Sequence, residues 1–247
     1  MSKVITVKNL YKKYNSINSS GIKYFLINQL TSNNEIHNNY TKRNWALNDI
    51  TFTLDKGDSL AIMGHNGSGK STLLSLLSGV LYADKGTVHV NGKSSSLLEL
   101  GVGFHADLTG SENIYIYSSF LGRTIGETKK IYNEIIEFSE LYDAVYNPVR
   151  TYSSGMIARL MFSVLISFKP DILLIDEVYA VGDIRFRIKC MDYITKFINK
   201  GGSLIFVTHE TEGIEKICNN GICLKQGKII SKYSLNDAIS SYLNDSE

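Results

Sequence analysis

The chain has 247 residues, 43% of them hydrophobic, and a formal net charge of only +2 from 26 basic and 24 acidic side chains. That is enough for one large or two small globular lobes, and the near balance of charge argues against a broad phosphate-neutralising nucleic-acid face. No run of about 20 apolar residues is present to span a bilayer, and the opening Met1–Val7 lacks the apolar stretch of a signal peptide.

In chain order, Val4–Val7 reads as a first strand and Thr51–Leu54 as a second, with alternating faces. Between them lies an Asn- and Ser-rich segment, about 15–44, with one apolar knot at Ile22–Leu30. It reads as a surface loop with a short helix, or as an amphipathic helix laid against a membrane or a membrane partner. Ser59–Met63 is a short apolar run suited to a buried strand. Directly after it comes Gly64-His65-Asn66-Gly67-Ser68-Gly69-Lys70-Ser71-Thr72, the Gly-x-x-x-x-Gly-Lys-Ser/Thr form of a P-loop. Its glycines let the backbone curl so that N–H groups point at an anion. Lys70 can reach the terminal phosphates and Ser71 can ligate Mg²⁺. Leu73, Leu74, Leu76 and Leu77 continue it as a helix, which places a phosphate at a helix N-terminus. These residues predict nucleotide binding.

Thr87–Val90 followed by Asn91-Gly92 carries a hairpin signal. Residues 113–143 read as mostly helical, with Ile131, Ile135, Phe138 and Tyr142 on one face. Tyr152-Ser153-Ser154-Gly155-Met156 precedes an apolar helix, so hydroxyls and N–H groups at its start form a second anion-binding element. Ile172–Ile175 is a buried-looking strand ending in Asp176-Glu177. Asp176 is placed to hold Mg²⁺, and Glu177 to take a proton from an attacking water. Leu204–Val207 is a second such strand, ending in Thr208-His209, and from that edge His209 can reach a γ-phosphate. Two apolar strands with a helix between them predict a parallel sheet covered on both faces. After Gly227 a short strand and a final helix are expected. Cys190, Cys218 and Cys223 have no metal-ligand or disulfide spacing and are expected to be small buried hydrophobes in a reducing compartment.

The P-loop, the Ser-Ser-Gly-Met helix, the Ile-Leu-Leu-Ile-Asp-Glu strand and the later strand-end histidine, in that order, resemble an ABC-transporter ATPase over nearly the whole chain. The resemblance implies an α/β P-loop NTPase with a mixed sheet, an antiparallel β subdomain and a helical insertion, about 97–165, forming a single domain over 1–247. It implies Mg²⁺-ATP as the nucleotide. It also implies a head-to-tail homodimer in which Ser154 and Gly155 of one copy close over the ATP on the other's P-loop. The adenine-stacking aromatic maps to Tyr14, with Tyr11 second, and the D-loop to Ala180-Val181-Gly182-Asp183. The signature is usually Leu-Ser-Gly-Gly-Gln and here is Tyr-Ser-Ser-Gly-Met; His105 follows Phe104 where Phe-Gln is common, so His105 maps to the metal-linking position. Both departures, with Asp-Glu-Val-Tyr-Ala-Val-Gly-Asp, resemble the subgroup that exports O-antigen, capsule and teichoic acid. A subunit on the cytoplasmic face of the cell membrane is then expected, paired with a separate integral membrane permease that handles the glycolipid, with no nucleic-acid partner. Some members carry a C-terminal carbohydrate-binding domain, which is not expected in 247 residues. ABC ATPases for a small solute or a drug, or working on DNA or ribosomes, are the rival readings.

Overall fold

The computed structural model describes residues 2–14, 45–96, 104–176 and 183–245. The 15–44 segment, Glu177, the Ala180–Gly182 part of the D-loop and the start of the expected helical insertion lie outside the described residues.

Two sheets organise the chain. Strands β1 (Lys3–Lys13), β2 (Trp45–Asp55) and β4 (Lys85–Val90) form an antiparallel sheet in the order β2-β1-β4. The second, six-stranded sheet runs β5-β6-β7-β3-β8-β9, from β5 (Ser94–Ser96), β6 (Ile172–Ile175), β7 (Ser203–Val207), β3 (Ser59–Met63), β8 (Asn220–Lys225) and β9 (Lys228–Lys232). Its pairs are parallel except β8–β9, which is antiparallel. The sheet is therefore mixed. The helices are α1 (Lys70–Leu77), α2 (Gly110–Phe120), α3 (Ile125–Ser139), α4 (Ser154–Ser167), α5 (Ile184–Asn199) and α6 (Leu235–Asn244).

The continuous apolar runs of β3, β6 and β7 have a direct cause. Successive side chains point to opposite faces, and both faces are covered. Leu60, Ile62, Ile172, Leu174, Ile205 and Val207 enter one core cluster, shared with the antiparallel sheet and α1. Ala61, Met63, Leu173, Ile175, Leu204 and Phe206 enter the other, closed by α4 and α5. A strand buried on both sides has no polar face to alternate with, which is the pattern of parallel sheets. Each such Leu or Ile side chain contributes about 1.5–3 kcal/mol by leaving water. A third cluster joins α2, α3 and α4 through Ile114, Tyr117, Ile135, Leu160 and Val164. Helix α4 serves both sides, since Phe162, Leu165 and Ile166 belong to the sheet cluster.

Two local expectations fail for identifiable reasons. Asn91-Gly92 does not close a hairpin: β4 pairs with β1 and β5 with β6, so the turn carries the chain from one sheet to the other. Asp171 anchors that crossing by accepting a hydrogen bond from the Lys93 N–H at 2.9 Å. Tyr142 leaves the apolar face of α3 and is exposed, because the helix ends at Ser139 and Glu140 turns left-handed at φ 60°. Leu141 is buried there instead.

Candidate functional site

Parallel pairing brings three strand ends to one edge. β3 leads into the P-loop, β6 ends at Asp176, and β7 ends at Thr208-His209. In register, Ile62 lies opposite Val207 and Ile175 opposite Phe206, so the ends are level to within about one residue, roughly 3.3 Å. Ligands of open α/β sheets bind outside this carboxyl edge.

The P-loop is shaped by close neighbours. A Cβ on Gly64, at φ +146°, would stand 2.4 Å from the Leu224 carbonyl oxygen of β8, and one on Gly69, at φ +109°, 2.6 Å from the Ala46 carbonyl oxygen of β2. Only glycine passes between those walls with that backbone. Gly69 is also the N-cap of α1, with no side-chain hydrogen bond to the helix and no acidic residue in its first turn. α2 and α3 contrast with it, because Thr109/Glu112 and Thr124/Glu127 close full capping boxes. The orphan N–H groups of α1 thus stay open to an anion. Ser68 Oγ is buried with no hydrogen-bond partner, a polar atom that a bound group would satisfy. The Lys70 ammonium donates to the Gly64 and His65 carbonyls at 2.5 and 3.1 Å. Across the edge, Ser71 Oγ lies 3.5 Å from Asp176 Oδ2, and Asp176 is 9% exposed. A hydroxyl and a carboxylate form an all-oxygen pair, the donor type Mg²⁺ takes. The residues present fit a nucleotide phosphate with its magnesium.

Tyr14, 57% exposed beyond the end of β1, shares a hydrogen bond with Thr72 Oγ1 at 3.2 Å. Tyr11 is engaged elsewhere, edge-on to Trp45 at 5.4 Å with Lys85 over its face. The structure therefore brings Tyr14, and not Tyr11, to the P-loop. His209 is exposed just past β7, between Thr208, whose hydroxyl accepts from the Glu210 N–H, and Glu210, which Arg187 grips through both carboxylate oxygens at 3.0 Å. The His105 backbone is clamped by buried Asn113, which accepts from its N–H at 2.7 Å and donates to its carbonyl at 3.0 Å. Its side chain is exposed, and among the described residues no hydrogen bond or ion pair joins it to Ser71 or Asp176.

At the second anion-binding element the helix starts at the Ser154-Gly155 pair, and its cap stands one residue earlier. Ser153 is the N-cap of α4, its hydroxyl accepting from the Met156 N–H at 3.2 Å, with Ser154 as the first helical residue. Ser153 was legible in the sequence: in Tyr-Ser-Ser-Gly-Met it stands where Leu-Ser-Gly-Gly-Gln has its serine. Arg159, one turn on, ion-pairs with Asp183, the N-cap of α5, and with Glu140 at 3.4 Å. Lys189 completes the network at 2.7 Å from Glu140. The Phe186 N–H and Arg159 hold the Asp183 carboxyl below its ordinary range, and Lys189 does the same for Glu140. Arg159 is the residue that sequence reasoning passed over. It ties the start of α4 to the end of the D-loop segment.

Burial pushes the Cys190 and Cys218 thiols up to about 12 and Cys223 to about 11. All three are buried and unpaired by disulfides. Buried thiols with raised pKa are poor nucleophiles.

The family model for the ABC transporter matches residues 47–180. The O-antigen export system ATP-binding protein RfbB of Klebsiella pneumoniae is 47% identical over 184 residues, covering 74% of this chain and 75% of that protein. The teichoic acids export ATP-binding protein TagH of Bacillus cereus is 34% identical over 242 residues, 98% of this chain but only 43% of that protein. Among solved structures, an ATP-binding subunit of an ABC transporter superposes with TM-score 0.74 at 20% identity, over 98% of this chain and 97% of its own. The dimeric post-hydrolysis state of the ATP-binding cassette MJ0796 bound to ADP and Pi gives 0.72 at 20% identity, over 94% and 98%.

Proposed function

The chain belongs to the ABC transporter ATP-binding family, and on that premise we propose that it hydrolyses ATP to drive export of a lipid-linked cell-surface polysaccharide through a separate membrane permease. The polysaccharide class rests on relatives named for O-antigen and teichoic acid export. The ATPase part rests on one observation above others. Ser71, in the first turn of α1, and Asp176, just past the end of β6 and far away in sequence, meet at 3.5 Å beside an uncapped helix N-terminus.

The roles follow from position. The loop N–H groups of Gly64–Thr72 and the α1 N-terminus receive the phosphates. Lys70 exchanges the Gly64 and His65 carbonyls for phosphate oxygens. Ser71 and Asp176 would hold Mg²⁺, which supplies charge neutralisation at the β- and γ-phosphates. Glu177 takes the proton of the attacking water and His209 faces the γ-phosphate from the β7 end. Tyr14 stacks on the adenine. Ser153, Ser154 and Gly155 of a second copy close over the nucleotide, and Asp183, fixed by Arg159, lies at the same seam. His105 stands at the metal-linking position in this reading, its side chain open to solvent like that of His209. The described residues contain no helix long and apolar enough to cross a membrane. In this reading the chain works at the cytoplasmic face of the membrane, held there by the permease, with 1–247 acting as one cassette.

The experiment is steady-state ATP turnover and ATP binding by the wild type and Glu177→Gln. Removing a general base is expected to lower turnover by about 10²–10⁴ while leaving ATP affinity intact. Unchanged turnover would remove Glu177 from that role, and wild-type protein that neither binds nor hydrolyses ATP would remove the function.

A further inference from the structure

The outer wall of the P-loop rests on the last helix of the described chain. His65, the first variable residue of the loop, stacks its imidazole on the Tyr242 ring of α6, with 4.9 Å between centroids and 30° between planes. Its Nε2 lies 3.8 Å from Asp245 Oδ2. Asp245 is the C-cap of α6. A carboxylate at that end opposes the helix dipole, whose C-terminus already carries negative charge. Its position is therefore unfavourable unless something offsets it. Lys225, at the end of β8, does so, and the Asp245 side chain is only 13% exposed between Lys225 and His65. β8 presses on the loop from the same side, with the Leu224 carbonyl at the Gly64 Cα and the Gly227 N–H donating to the Ser68 carbonyl at 2.9 Å.

The peptide gripped in this way has a second duty. The carbonyls of Gly64 and His65 hold the Lys70 ammonium, so wherever the His65 peptide stands, Lys70 starts from there. A loop free to rotate that peptide spends part of its time with N–H groups turned away from the phosphate. Apparent affinity then falls by the fraction of loops that remain competent.

We propose that α6, through Tyr242 and Asp245, is a positioning element of the ATP site: it fixes the His65 peptide and with it the phosphate-binding set of N–H groups and the resting place of Lys70. In this reading Tyr242 and Asp245 act through His65. Their role presupposes that Gly64–Thr72 is the ATP site.

The test uses the full chain, titrated with a fluorescent ATP analogue, with turnover measured at saturating ATP. Tyr242→Leu keeps the apolar bulk and removes the ring stack; its ATP Kd is expected to rise about three- to tenfold, the size of an aromatic contact. Tyr242→Phe keeps the ring and is expected to stay within about twofold of wild type. Saturating turnover should change less than Kd in both. A purely structural role for α6 would lower the melting temperature without this split between Leu and Phe. A folded Tyr242→Leu with wild-type Kd, or a Phe variant as weak as Leu, would overturn the proposal. Should Tyr242→Leu not fold, the isosteric Asp245→Asn decides it: about a two- to fivefold rise in Kd is expected, and no rise overturns it. If Lys70→Ala binds ATP as tightly as wild type, the P-loop reading itself has failed, whatever the α6 variants do.

Discussion

Gly64→Ala is expected to displace the P-loop while leaving a folded chain. The new methyl would sit at φ +146° and 2.4 Å from the Leu224 carbonyl oxygen, against the 3.4 Å at which ordinary contact begins. Its other close neighbour, Ser68 Oγ at 2.6 Å, is a side chain and can rotate away. Leu224 cannot, because β8 is paired to β3 on one side and β9 on the other. The loop must therefore move by about an ångström. Backbone strain of order 1–3 kcal/mol and overpacking of about 1–3 kcal/mol sum to about 2–6 kcal/mol. That is within the usual 5–15 kcal/mol of domain stability, so the protein folds. The melting temperature should fall by roughly 4–24 °C, and ATP affinity by at least about tenfold, since an ångström of misplacement is costly where several groups must converge. Gly67→Ala is the internal comparison. Its φ is +81°, but a Cβ there meets nothing within 4 Å, so only the strain remains and the melting temperature should drop by less. Differential scanning calorimetry and isothermal titration of ATP read both. Equal melting temperatures for the two variants, or wild-type ATP affinity in Gly64→Ala, would refute the steric argument.

Ser153→Ala removes the hydroxyl that caps α4 and is expected to cost about 1 kcal/mol in chemical denaturation. Arg159→Met tests the Asp183–Arg159–Glu140–Lys189 network through pH. The folded Glu140 and Asp183 carboxyls lie below their ordinary 4.5 and 3.8, so the unfolded chain binds more protons as pH falls through that window. Their stabilisation is present above about pH 4.5 and lost below it; the melting temperature of wild type should drop more steeply with acid than that of Arg159→Met, and parallel curves would contradict this. The three buried thiols are expected to resist alkylation in native protein at neutral pH and to react on unfolding, which mass spectrometry of labelled peptides reads directly.

How much was legible in the sequence depended on range. The P-loop and the strand ends were readable because each is a local pattern: an apolar run buried on both faces, then a polar residue with nowhere to sit except the sheet edge. Asp176 and His209 were placed at one edge on that logic, and strand order β6-β7-β3 puts them there. The final strand and helix were likewise local, whereas the antiparallel sheet came from the family resemblance. What pairs with what was not. Asn91-Gly92 has hairpin chemistry, yet β5 finds its partner in β6, and only the packed sheet decides between them. The α3 periodicity predicts Tyr142 on the apolar face, but the period stops where Glu140 turns left-handed, with its side chain paired to Lys189 and Arg159 from other helices. His65 read as a variable position because its partners, Tyr242 and Asp245, lie at the far end of the chain. Ser153 was within reach of the sequence, and only register against the signature was needed.

The surface glycan profile of cells lacking this chain, complemented with wild type or with Lys70→Ala, tests ATP-driven polysaccharide export most directly. Loss of the surface glycan, restored by wild type and not by Lys70→Ala, is the predicted result; an unchanged surface without the chain, or restoration by Lys70→Ala, would contradict it.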